Sequence, residues 1–431
     1  MTLILSTAIA LMAGLMMTRV FKALHFNFPD VTSFLLAGLL VGPYCLGRLG
    51  IEGLGFTTME AVDQMSVLSN TALGFIAFSI GNEFRLSQLR ATGKQAVVIG
   101  IFQALMASVL VDVAMISLHF ILGEKVLPLP AAITLGAIAS ATAPAATLMV
   151  VRQYKAKGKV TDLLLPIVAL DDAVGLVIFA VSFGIAEAVE MGAALDVMAV
   201  VVNPLVEIAG SLLLGAVAGL VLTEIEKLFY SNTNRLSMTI SFVLLTIALS
   251  NVTCQLGRVK IAFSSLLVCM MLGTVLCNRS EFSHDIMNRS EKWTAPLYTA
   301  FFVISGAGLE LSVFRYPEIV AIGVVYIVVR CLGKYFGAQM SSTAMHCDPM
   351  VRRYLGITLF PQAGVALGMV VTAQALGGES AALIRNIILF SVMIYELVGP
   401  MLTRMALEAA GEITKGNSEK QNRDRFAKKP A

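Results

Sequence analysis

IVALDDAVGLVIFA, residues 167–180, sets two adjacent carboxylates, Asp171 and Asp172, in the middle of an otherwise apolar run. The solvent around that run decides the fold. Over 431 residues the chain is 57% hydrophobic and only 14% charged, whereas soluble domains carry about 25% charged residues. Most of the apolar residues fall in runs of about 20, the length that crosses a hydrocarbon core about 30 Å thick as a helix. Alternating ten-residue patterns are absent, which argues against a barrel. The expectation is an all-α polytopic membrane protein.

Thirteen spans are expected, at 2–18, 31–47, 61–81, 96–118, 130–151, 160–187, 197–222, 238–256, 259–277, 293–313, 319–340, 353–375 and 383–406. The short links at 257–258 and 314–318 predict tight helical hairpins. Residues 1–410 form one transmembrane domain, with a basic tail over 411–431 and no separate soluble domain. The first run lacks a charged n-region and a small-residue cleavage site, so it is expected to be retained. Lys and Arg concentrate in the odd-numbered links, most densely at Arg152, Lys155, Lys157 and Lys159. The positive-inside rule then puts the N-terminus outside and the tail in the cytoplasm. With no organelle-targeting segment, a prokaryotic plasma membrane is expected. The net charge of +3 is on this reading a topology signal, and no nucleic-acid partner is expected. The six cysteines show no CxxC pair and the four histidines no ligand spacing. No cofactor and no resident metal are anticipated.

Ionisable groups inside spans are the informative ones. The acids pair only at Asp171 and Asp172, and the mid-membrane cations are Arg330 and Lys334 in VVRCLGKYFGA, residues 328–338. An ionised group at the bilayer centre costs about 3 kcal/mol even on lenient scales. The plain alternative is a salt bridge that only ties helices together. Neighbours on a helix project about 100° apart, however, so the two acids cannot meet one partner equally well. One can pair while the other faces a cavity. Such a pair titrates as a coupled unit, and a carboxylate that can hold a proton or coordinate a small cation, but not both, is the minimum machinery of cation/proton exchange. Lys334 is the preferred partner because a buried lysine can lose its proton, whereas Arg330 suits a fixed role.

Two spans also carry backbone irregularity. ASATAPAAT, residues 139–147, places Pro144 among Ser140, Thr142 and Thr147; TLFPQAGVA, residues 358–366, places Pro361 with Gln362 and Gly364. Proline removes a donor and strips a carbonyl of its bond, and broken helices are tolerated in membranes where they line a cavity. With span 7 as a linker, both prolines fall in the fifth helix of two inverted six-helix units. That arrangement is a transporter signature with its site at the midplane.

The stretch SATAPAATLMVVRQYKAKGKVTDLLLPIVALDDAVGLVIFA, residues 140–180, resembles the core of the monovalent cation/proton antiporter superfamily, closest to its NapA and Kef-type exchangers. FLLAGLLVGPYCLG (34–47), FIAFSIGNEFRLSQLR (75–90), FFVISGAGLELSVF (301–314) and LGKYFGA (332–338) extend the likeness to about residue 408. The resemblance implies an NhaA/NapA-like fold with crossed broken helices, and a homodimer. Spans 1–3 and 8–10 would be the scaffold, and spans 4–6 and 11–13 a core that moves like an elevator. It implies that Asp172 binds the cation, that Asp171 pairs with Lys334, and that exchange is electrogenic, with sodium, lithium or potassium as cargo.

Departures from the family pattern bear on the details. TAP at 142–144 stands where related electroneutral exchangers have Thr-Asp-Pro, leaving Thr142, Thr147, Ser140 and freed carbonyls as ligands. Kef-type potassium systems carry Gln-Asp and a large regulatory domain, neither of which matches here. A potassium efflux role and a channel remain the alternatives; an intramembrane aspartyl protease needs acids converging from different helices. Glu83, Arg85 and Glu310 lie at span ends. Glu396, deeper in span 13, either pairs with Arg330 or is a protonated structural acid.

Overall fold

A computed structural model of the chain describes residues 3–24, 28–51, 54–83, 86–191, 202–252, 254–256, 259–309, 311, 314 and 316–413. Helix α1 covers Leu3–Ala23, α2 Asp30–Val41, α3 Met59–Asp63, α4 Ser66–Glu83 and α5 Leu86–Leu122. The site-bearing segment follows as α6 Leu129–Ile138, α7 Pro144–Tyr154 and α8 Lys159–Met191, then α9 Asn203–Glu226 and α10 Asn232–Ser250. The remainder is α11 Ser265–Arg279, α12 Ser283–Ala307, α13 Pro317–Ala344, α14 Pro349–Thr358, α15 Gly364–Ala373 and α16 Gly378–Ala409. Among the described residues eight helices are long and apolar enough to cross a membrane, and three shorter apolar helices accompany them.

Two links differ from expectation. Instead of a tight helical hairpin at 257–258, an antiparallel ribbon pairs Cys254–Leu256 (β1) with Val259–Ile261 (β2), Gln255 opposite Lys260. Residues 257–258 themselves lie outside the described residues. The local sequence explains the ribbon: polar and apolar residues alternate on both sides of Gly257, with β-branched Val259 and Ile261, a strand pattern that a 20-residue hydropathy window averages away. Likewise α12 stops at Ala307, capped by Gly308, so the link to α13 is longer than 314–318. Glu310 and Arg85 lie outside the described residues, as does the tail from 414 onward.

Helix packing relies on close backbone approach, as expected where lipid offers no hydrophobic drive for association. A side chain on Gly333 of α13 would sit 2.6 Å from Ala107 Cα of α5, and one on Gly337 2.7 Å from Gln103 Cα. One apolar cluster joins α1, α2, α4 and α12; another joins α5, α6, α8, α13, α15 and α16. The segments around Pro144 and Pro361 lie where these groups meet.

Candidate functional site

Two spans are each split into half-helices. Proline has no N–H and a fixed φ, so it suits a helix's first turn and bars continuation from upstream. Pro144 opens α7, six residues after α6 stops at Ile138. Pro361 lies in the matching gap between α14 and α15. The two gaps cross: Ala143 N donates to Pro361 O at 2.8 Å, and Gln362 Nε2 donates to Ile138 O at 2.8 Å.

Breaking two buried helices frees carbonyls that must find donors. Arg330, fully buried in α13, supplies three of them. Its Nε donates to Ala139 O at 3.0 Å, its Nη2 to Ala141 O at 2.5 Å, and its Nη1 to Phe360 O in the other gap at 2.7 Å. The guanidinium lies over the Tyr395 ring, 4.6 Å from the centroid. No Arg330–Glu396 pair forms, so that alternative for Glu396 is set aside. Arg330 is occupied by backbone, and the planar fork suits that task better than an ammonium would.

One turn along α13, Lys334 turns toward α8. Its Nζ donates to Ser140 O at 2.6 Å, to Thr142 Oγ1 at 2.9 Å and to Asp171 Oδ2 at 3.2 Å. Lys334 and Asp171 are both fully buried. The other oxygen of Asp171 accepts from Gln103 Nε2. Asp172 points elsewhere. Only 5% of its surface is exposed, its Oδ1 has no hydrogen-bond partner among the described residues, and it lines a cavity of about 680 Å³. That cavity follows α8 past Leu176, Phe179 and Phe183 to Glu187, away from the basic cluster around Lys159.

The other predicted ligands are arranged differently. Thr142 joins the lysine cluster, but the Ser140 hydroxyl turns back to Ala137 O at 2.7 Å and Thr147 reaches Ala143 O and Thr358 O at 3.5 Å each. None of the three lines the cavity at Asp172, whereas Gly364, at the start of α15, does. Glu396 is 6% exposed and borders a smaller chamber shared by Pro144, Pro361, Gln362 and Gly364.

Sequence reasoning missed Gln103 and Asn70. Gln103 is buried against Asp171, and Asn70 lines the cavity; the available signal was a lone amide in an apolar run. It also passed over Asp112 of α5, whose Oδ1 is buried without a hydrogen-bond partner among the described residues.

The chain matches the family described as "sodium/hydrogen exchanger, transmembrane" over residues 7–409. It is similar to the Na(+)/H(+) antiporter NhaS4 of Synechocystis sp., at 21% identity over 417 residues, 94% of this chain and 96% of that protein. Among solved structures it is similar to the sodium proton antiporter MjNhaP1 of Methanocaldococcus jannaschii. One structure of that protein, at pH 8, gives a TM-score of 0.64 at 18% identity, covering 94% of this chain and 95% of the other. A second, an electron-microscopy map, gives 0.69 at 16%, covering 95% and 96%. At such identities the structural likeness is one of fold.

Proposed function

Because the chain belongs to the sodium/hydrogen exchanger family, a family of multi-pass membrane transporters, we propose that it exchanges sodium for protons at Asp171 and Asp172. The observation that carries this reading is the division of labour between neighbouring acids: Asp171 is held by Lys334 while Asp172 offers an unpartnered oxygen to a cavity. A cation arriving along α8 meets Asp172 as its first anionic ligand. Its positive charge competes with the Lys334 ammonium for the same pair of carboxylates, so cation uptake and proton release favour the same state. That is a binding linkage, and linkage is reciprocal. Two acids and one lysine allow more protons than cations to move, which makes the exchange electrogenic.

The crossed gaps support the same reading. Arg330 satisfies the freed carbonyls permanently, so the site can change charge without unravelling. Taking each split pair as one crossing, we read thirteen spans in two inverted six-helix units around α9, and the Lys and Arg distribution favours an outside N-terminus and a cytoplasmic tail in a plasma membrane. The group containing α5–α8 and α13–α16 then carries the site past a scaffold of α1–α4 and α10–α12, with the scaffold joining two copies in a homodimer.

The test is purified protein in liposomes under an imposed pH gradient, adding sodium, lithium or potassium in turn, for wild type and Asp172→Asn. Sodium should dissipate the gradient through wild type alone. Dissipation by potassium only would reassign the cargo, and equal exchange by Asp172→Asn would refute the site.

A further inference from the structure

Asp171 is gripped from two helices, and only one grip involves a charge. Lys334 of α13 donates to Oδ2, and Gln103 of α5 donates to Oδ1. Gln103 is fully buried, lodged where Gly337 lets α5 and α13 close together. Its Nε2 also donates to Gly100 O at 2.9 Å. Both neighbours on that side are acceptors, so the amide must turn its NH2 group toward them; a flipped amide would set Oε1 against the carbonyl. The consequence is an Oε1 that is buried with no hydrogen-bond partner among the described residues. A leucine or methionine would fill the same volume without burying an unpaired acceptor, so packing does not account for an amide here.

We propose that Gln103 is a positioning residue that holds Asp171 as a hydrogen-bond acceptor when Lys334 releases it during exchange. This rests on the reading of Asp171, Asp172 and Lys334 as the exchange site. The charged groups acting on Asp171 among the described residues are Lys334 and Arg330 of α13 and Asp172 of α8. Lys334 is the partner that a cation displaces, and Arg330 is committed to the backbone gaps. The Thr142 hydroxyl also bonds Asp171 but shares the Lys334 ammonium, so Gln103 is the donor to the carboxylate that the lysine does not touch, and it stays in the cation-bound state. It keeps the acid oriented and unprotonated, so that the lysine gives up the proton.

The test compares wild type, Gln103→Leu and Gln103→Glu. In purified protein, difference infrared spectroscopy follows the protonated carboxyl band assigned to Asp171 by its loss in Asp171→Asn; in proteoliposomes, exchange is followed against pH. The band should persist to higher pH in the order wild type, leucine, glutamate, by roughly one pH unit or more for loss of a charge-assisted bond. The acid limb of exchange should move with it. Coincident midpoints in folded protein would overturn the role of Gln103, and Gln103→Met carries the same comparison if the leucine variant does not fold. The infrared titration does not depend on transport, so absence of sodium exchange in wild type would count against the function and not against the positioning.

Discussion

At the residue scale the question is what happens when one member of the buried cluster is removed. Lys334→Met leaves Asp171 without its cation in a site with no exposure, and breaking a buried pair costs about 3–5 kcal/mol. Its thermal midpoint should fall accordingly. The double variant Lys334→Met with Asp171→Leu should regain most of that loss while remaining unable to exchange sodium. If the single variant melts like wild type, the pair is not the structural bond described here. Glu396 calls for the opposite expectation. It makes no ion pair among the described residues and borders a chamber beside the gaps, so Glu396→Gln should fold normally and keep exchange within about threefold, checked in the same liposomes. The acid pair and Lys334 were legible in the sequence because charge stands out against an apolar run. Gln103 was not, since a neutral amide costs little enough in a span to look incidental, and its meaning comes only from the residue it faces across α5 and α8.

At the element scale the crossing of two gaps depends on one side chain. Arg330 satisfies three carbonyls from both gaps, and each buried acceptor left unpaired costs about 1–3 kcal/mol. Arg330→Gln should therefore destabilise by more than about 3 kcal/mol. Arg330→Lys should not rescue it, because a compact ammonium cannot span three directions. Thermal melting in detergent decides this; a lysine variant as stable as wild type would show that charge alone suffices. The prolines announced the breaks from sequence, and their placement in equivalent spans suggested a crossing. What joined them could not be read, because Arg330 lies some 190 positions from one gap and 30 from the other. A smaller case concerns the start of α14, where the Lys159 ammonium beside Asp348 holds its carboxyl below the usual carboxylate range, helped by the Met350 N–H. A depressed carboxylate stabilises above its unfolded pKa of about 3.9 and loses that contribution as pH falls through the folded value. The gap in melting temperature between wild type and Asp348→Asn should therefore be present near neutrality and close below about pH 4.

At the scale of the whole molecule the two ends differ. Toward Glu187 the Asp172 cavity separates α8 and α15 from α4 and α11. At the basic end α7 is tied to α12 and α2: Arg152 of α7 meets Glu291 of α12 at 3.2 Å, and Asp30 N of α2 donates to Gln153 Oε1 at 2.8 Å. On the alternating-access cycle proposed above, a molecule open at one end and latched at the other would be one of two states, and reaching the second would require those ties to part. Partly exposed ion pairs are worth about 0.2–1 kcal/mol, which converts to a change in population of at most about fivefold. In a variant without native cysteines and carrying Phe183→Cys, a membrane-impermeant thiol reagent should label from outside right-side-out vesicles. Adding Glu291→Gln should slow labelling by up to about fivefold, and the swap Arg152→Glu with Glu291→Arg should restore it. Labelling only from the cytoplasmic side would invert the orientation derived from the Lys and Arg distribution. A rate indifferent to Glu291 would mean that the polar contacts at the basic end do not restrain the movement, and that the barrier lies in the apolar packing around Phe301 and Phe302 instead.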